Sequence, residues 1–149
     1  MSFQTVRGIF EARAKQDLLA AGVANDAIFF DNIGETPKGS RGTYALVSLS
    51  FTNPIQDVIA CEGKEDLRGS LQVNVYTPKN EGSKAGEDIC LEVIKGWNAI
   101  NASPRTMYVP GSPIYAAAVR AIEGPTTIAP DQRPHHVNVV AATWIARAA

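Results

Sequence analysis

The sequence predicts an α+β domain: a mixed, mainly antiparallel sheet with two helices packed on one face. Three observations carry this reading. Two stretches space their apolar residues three and four apart, and several others alternate apolar with polar residues. The strand-like stretches also follow one another mostly through loops rather than helices. The length of 149 residues fits one domain, residues 1–149, and a domain of this size buries about 68–70% of its unfolded surface. That is enough for a core without metal or disulfide support.

Near the start, Phe3, Val6, Phe10, Ala14 and Leu18 mark one helical face, with Glu11, Lys15 and Gln16 on the other side. Gly22 is placed to stop this helix in a left-handed conformation. "AIFF" (Ala27–Phe30) reads as a short apolar strand ended by Asp31-Asn32. "GETPKGSRG" (Gly34–Gly42), with three glycines and a proline, reads as a mobile loop. In "TYALVSLSF", Ala45, Val47, Leu49 and Phe51 alternate with polar positions such as Ser48 and Ser50, the pattern of a half-buried strand. In "GSLQVNVYT", Leu71, Val73 and Val75 alternate against Gln72, Asn74 and Tyr76. The connection between them, Thr52–Arg68, is too long for a tight turn.

A second helix is predicted from about Ser83 to Asn98, with Ile89, Cys90, Val93, Ile94 and Trp97 at helical spacing. Glu87 and Asp88 sit early in it, where the helix dipole favours acids. "TMYV", "PIYAAAVRAI" and "HHVNVVAATWIA" then read as strands, punctuated by prolines at 104, 110, 113, 125, 130 and 134. The small residues of "YAAAV" and "VAAT" point to close approach of another element, such as a neighbouring subunit.

Composition narrows the function classes. Hydrophobic residues make up 45% and charged residues 19%, and a net charge of −1 gives no general attraction to nucleic acid or an anionic membrane. Cys61 and Cys90 are too few for a disulfide framework and are expected to be reduced thiols in a cytosolic setting. The N-terminal residues lack the pattern of a signal peptide, and no run of about 18 apolar residues predicts a transmembrane helix.

The chemistry-bearing motifs are mostly absent. The turn "TPKNEGSKAG" invites comparison with a phosphate loop, but it has Gly-Ser-Lys where Gly-Lys-Ser is needed, and two acids follow. His135 and His136 are adjacent on a strand and point to opposite faces, so regular geometry keeps them from one metal. Neither cysteine has a partner at zinc-finger spacing. No Gly-x-Ser-x-Gly occurs, and Cys90 falls on the apolar face of the second helix. Glu62, Glu65 and Asp66 lie beside Lys64 and Arg68, the mixture of a solvated surface. "NAS" at Asn101–Ser103 matches a glycosylation sequon in a chain with no other sign of secretion. No catalytic, cofactor-binding or metal-binding residue is expected, and the protein is not expected to be an enzyme.

The arrangement resembles the tail-terminator (tail-completion) proteins of long-tailed bacteriophages. The helix "VRGIFEARAKQDLLAAG", the short strand into "FFDNIGETP", and "YALVSLSF" before a variable loop carry the resemblance. "GSLQVNVYTPKNEGSKAGEDICLEV" completes it, as a strand of type G-x-L-x-V-x-V-Y-x-P that runs through a small-residue turn into a helix. Together they cover roughly residues 3–97. The resemblance implies a structural virion protein forming a homohexameric ring at the head-proximal end of the tail. Such a ring caps the last ring of tail tube protein, ends elongation and meets the head-completion or neck protein. Genome DNA passes through its lumen without sequence-specific binding, and no membrane is involved. The polar, irregular loops Gly34–Gly42 and Thr52–Arg68 are the expected partner contacts, with Lys38, Arg41, Lys64 and Arg68 as candidate interface residues. A neck, stopper or head-completion protein is the alternative, with a small ligand-binding domain or an unrecognised enzyme behind it.

Overall fold

Helix α1 (Phe3–Ala20) buries Val6, Phe10, Ala14 and Leu18, the row legible in the sequence. It ends in a Schellman motif. The Val23 N–H donates to the Leu18 carbonyl at 3.0 Å, the Gly22 N–H donates to the Leu19 carbonyl at 3.1 Å, and Gly22 takes φ +95°. Val23 and Leu18 both enter the core, supplying the apolar contact that accompanies this cap. In the computed structural model, residues 3–30, 42–52, 55–56, 65–78, 83–102, 114–128 and 135–148 are described.

After a 3-10 turn (Asn25–Ala27), the strands are β1 (Ile28–Phe30), β2 (Tyr44–Phe51), β3 (Ile55–Gln56), β4 (Glu65–Pro78), β5 (Ile114–Ile128) and β6 (His135–Ala148). Helix α2 (Ser83–Ala102) lies between β4 and β5. The six strands form one sheet in the order β1-β2-β4-β6-β5, with β3 beside the start of β4. Only β1–β2 is parallel, so the sheet is mixed and mainly antiparallel. The protein is thus of the α+β class. Its spine is β4–β6, paired from Asp66↔Arg147 to Pro78↔His135.

Register places one residue of every two on the core face. Val47, Val73 and Val140 lie side by side there, and Ala45, Leu49, Leu67, Leu71, Val75, Ala142, Trp144, Ala146, Ala117 and Val119 are buried with them. Both helices pack on this face, α1 over β1 and β2, α2 over β4, β5 and β6. The small residues Ala117, Ala142 and Ala146 are therefore core residues of the same chain.

At the centre, Trp144 is fully buried and lies over Gly69. A Cβ at Gly69 would stand 1.8 Å from the Ser50 carbonyl oxygen and 2.7 Å from Trp144 Cζ2. Phe10 of α1 and Phe51 of β2 pack on the indole at 5.1 and 5.2 Å between ring centres, Phe51 edge-on. The indole N–H donates to the Ser70 carbonyl at 3.3 Å, which satisfies a buried donor that would otherwise be costly.

Several boundaries differ from the sequence expectation. Strand β4 begins at Glu65, so Glu65, Asp66 and Arg68 are strand residues and not loop residues. Asp66 and Arg68 pair with Arg147 and Ile145 of β6 on one side, and β3 pairs Ile55 with Asp66 and Gln56 with Glu65 on the other. Helix α2 runs past Asn98 to Ala102, because Ile100 adds a further buried contact. Strand β5 continues through Pro125, a residue tolerated there because β5 is an edge strand and that position needs no outward donor. The "TMYV" strand lies outside the described residues, as does the Gly34–Gly42 loop except Gly42.

Replacing Gly69 with alanine is expected to destabilise the fold by about 3 kcal/mol, since the added methyl meets backbone on one side and the indole on the other. Urea unfolding followed by tryptophan emission measures this, as Trp97 and Trp144 are both buried. An unchanged midpoint for Gly69→Ala would refute the close packing.

Candidate functional site

The second face of the sheet carries no helix among the described residues. Leu46, Ser48, Asn74, Val139, Ala141, Ile145 and Ala118 are half-buried on it, and Ser50, Ser70, Gln72, Thr143 and Arg120 are exposed. Its polar groups are largely tied to one another. The Ser50 and Ser70 hydroxyls share a hydrogen bond, Gln72 Nε2 donates to Asn74 Oδ1 at 2.8 Å, and the Thr143 hydroxyl donates to the Arg120 carbonyl at 3.1 Å. At one end Tyr44 stacks on Tyr76 with ring centres 4.4 Å apart, and Phe29 meets Tyr44 edge-on at 6.1 Å. Tyr76 and Val137 are buried beside this aromatic row, although alternation alone assigns them to the exposed side.

Of the four residues expected at an interface, Lys38, Arg41 and Lys64 lie outside the described residues. Arg68 does not belong to a loop. It sits in β4 opposite Ile145 of β6, half-buried on the second face, and its carbonyl accepts from the Thr52 N–H at 2.8 Å and the Thr52 hydroxyl at 3.1 Å.

The groups with chemical potential are dispersed. Cys90 is fully buried, and desolvation, aided by Glu87, pushes its thiol up to about 12, so it stays protonated and unreactive. His136 lies at the start of β6, where its carbonyl accepts from the Thr77 hydroxyl at 3.4 Å. No group of three or more His, Cys, Asp or Glu among the described residues is arranged to hold a metal ion. An open groove of about 320 Å³ between α1 and α2 is lined by Ala20, Ala21, Asp88, Leu91, Glu92 and Lys95. Its charges are already engaged in part, with Lys95 Nζ 3.1 Å from Glu92 Oε1. No helix among the described residues is long and apolar enough to cross a membrane.

The stretch that resembled a phosphate loop has a packing explanation at its last glycine. Gly86 is buried in α2, and a Cβ there would stand 2.3 Å from Asn138 Nδ2. Lys84 is exposed beside it. The glycine lets the start of α2 approach β6.

Asp17 is the perturbed acid of the described residues. It is 7% exposed where α1 meets α2, against Gly96, at which a Cβ would stand 1.8 Å from an Asp17 carboxylate oxygen. Desolvation raises it from 3.8 to about 6, with Glu92 adding to the rise, while Arg13, whose Nε lies 3.3 Å from Oδ2, opposes it. Sequence periodicity gave no sign of this residue, because it sits beside the apolar row on the helix. No protein-family model matches the chain, and no curated protein sequence matches it.

The raised pKa of Asp17 fixes a sign. Between about pH 4 and 6 the folded chain binds more protons at this site than the unfolded chain, so its contribution to stability falls as pH rises through that window and is level above it. Asp17→Asn removes the titration. The melting temperature of the variant minus that of the wild type is expected to grow from pH 4 to 6 and then stay constant. A difference that is flat throughout would refute the assignment.

Proposed function

We propose that this chain is a structural virion protein of the tail-terminator kind, acting by assembly and not by catalysis. In this reading it forms a homohexameric ring that caps the last ring of tail tube protein at the head-proximal end of the tail. The ring ends elongation and joins the tail to the neck, and genome DNA passes through its lumen. The observation that supports the reading best is the division of the sheet into two unlike faces. Both helices cover one face, and the other is a broad, half-exposed surface of mixed apolar and polar side chains without a convergent catalytic cluster among the described residues. Association into a closed ring calls for such broad complementary surfaces, two different ones on each subunit. The strand-to-helix run from β4 to α2 agrees with the resemblance in the sequence, since Gly69–Pro78 lies in β4 and α2 is the next element. In this assembly Lys38, Arg41, Lys64 and Arg68 face the lumen or the tube.

Native mass spectrometry and negative-stain imaging of the purified chain, alone and with tail tube protein, test this. Six-membered rings, alone or on tube ends, are the expected result. A chain that stays monomeric even with tube protein present would overturn it. Deletion of the gene separates the terminator from a neck or stopper protein: overlong tails fit the first, and full heads without joined tails fit the second.

A further inference from the structure

Strand β5 closes one side of the sheet, with β6 on its inner side and no described strand on its outer side. Such a margin presents backbone N–H and C=O groups that template the addition of another strand. Register shifts at Ile114/Ala116, Arg120/Glu123 and Glu123/Thr126 leave β5 regular from Ala116 to Arg120, its longer regular run, and again from Thr126 to Ile128. In an antiparallel ladder the N–H and C=O of one residue point to the same side, and successive residues alternate. Those of Val119 point away from β6 and are taken by a side chain. The Val119 N–H donates to Asn101 Oδ1 at 2.7 Å, and Asn101 Nδ2 donates to the Val119 carbonyl.

The carboxamide of Asn101 thus stands in for one peptide group of an added strand. It is delivered by the last turn of α2, which holds the side chain against the margin. By the same alternation, Ala117 is the other residue of the regular run whose backbone groups face outward. Beyond the run, Ala121 takes φ +51° and Pro125 has no N–H to offer. One side chain therefore occupies one of the two outward pairing positions on the longer regular run of this margin, Ala116 to Arg120.

We propose that Asn101 is a guard that keeps β5 from pairing with β5 of a second copy of this chain. A second copy is the occupant kept out because two identical antiparallel edges pair about a two-fold axis, each meeting the same groups it presents. The regular run supplies the same residues on both sides. This guard operates whether or not the chain forms the ring proposed above. It also gives Asn101 a role incompatible with glycosylation, since both ends of its amide are engaged.

The test is the self-association of Asn101→Ala against wild type, by light scattering across a concentration series. Amide hydrogen exchange then locates the contact. The variant is expected to associate about tenfold more tightly than wild type, the factor set by roughly one net hydrogen bond regained by the margin. The amides of Ala117 and Val119 should become protected in the associated form. Asn101→Gln, which keeps the carboxamide but shifts it by one methylene, carries the same test should Asn101→Ala fail to fold. A folded variant with the wild-type oligomeric state at every concentration overturns the proposal, and so does association that leaves those two amides unprotected.

Discussion

The contact between Gly69 and Trp144 is the constraint on which the rest of this structure depends. The indole is touched by α1 through Phe10, by β2 through Phe51 and by β4 through the Ser70 carbonyl. It fits only because the strand beneath it has no side chain at that point. A buried aromatic of this size contributes more apolar area than any neighbour, and close packing transmits its position to every element in contact with it. Arg7 extends the same junction outward, with its guanidinium 5.4 Å from the Phe51 ring centre and an N–H donated to the Leu49 carbonyl at 3.0 Å.

The helices are seated by the same device. Gly96 of α2 faces Asp17 of α1, and Gly86 of α2 faces Asn138 of β6. In each case a missing side chain admits a polar group into a close contact, and a polar group so placed loses its water. For Asp17 the loss is visible as a raised pKa that Arg13 only partly offsets. These contacts are expensive in sequence terms, because the glycine of each pair leaves no space for a side chain. They fix the spacing of α1, α2 and the sheet more tightly than apolar burial alone would.

A molecule built in this way presents two unlike surfaces and two unlike margins. One face is spent on the core, and the other remains a mosaic of aliphatic, hydroxyl and amide side chains suited to association. Helix residues reach strand backbone from the core side, Arg7 to the carbonyl of Leu49 on β2 and Asn101 to Val119 on the margin strand β5. An assembling protein benefits from that division, since broad faces remain for specific contacts while strand edges are withheld from promiscuous pairing. The reading as a ring-forming tail protein and the guarding of β5 both draw on this economy, from separate observations.

The sequence by itself determined the class and most of the elements. The row Val6–Phe10–Ala14–Leu18, the alternation in β2 and β4 and the Gly22 stop are local patterns, set by periodicity and by one residue's backbone freedom. The candidate interface was far less legible. Arg68 reads as a loop residue until β6 supplies its strand partner, and the polar run around it has no periodic signature of its own. Asn101 reads as part of a sequon until the fold carries Val119 beside it from 18 positions along the chain. Tertiary structure alone decided which glycine lies under which aromatic, which acid is desolvated and which strand edge is closed. Each of these depends on contacts between residues distant in sequence, and no local pattern encodes a partner that arrives from elsewhere in the chain.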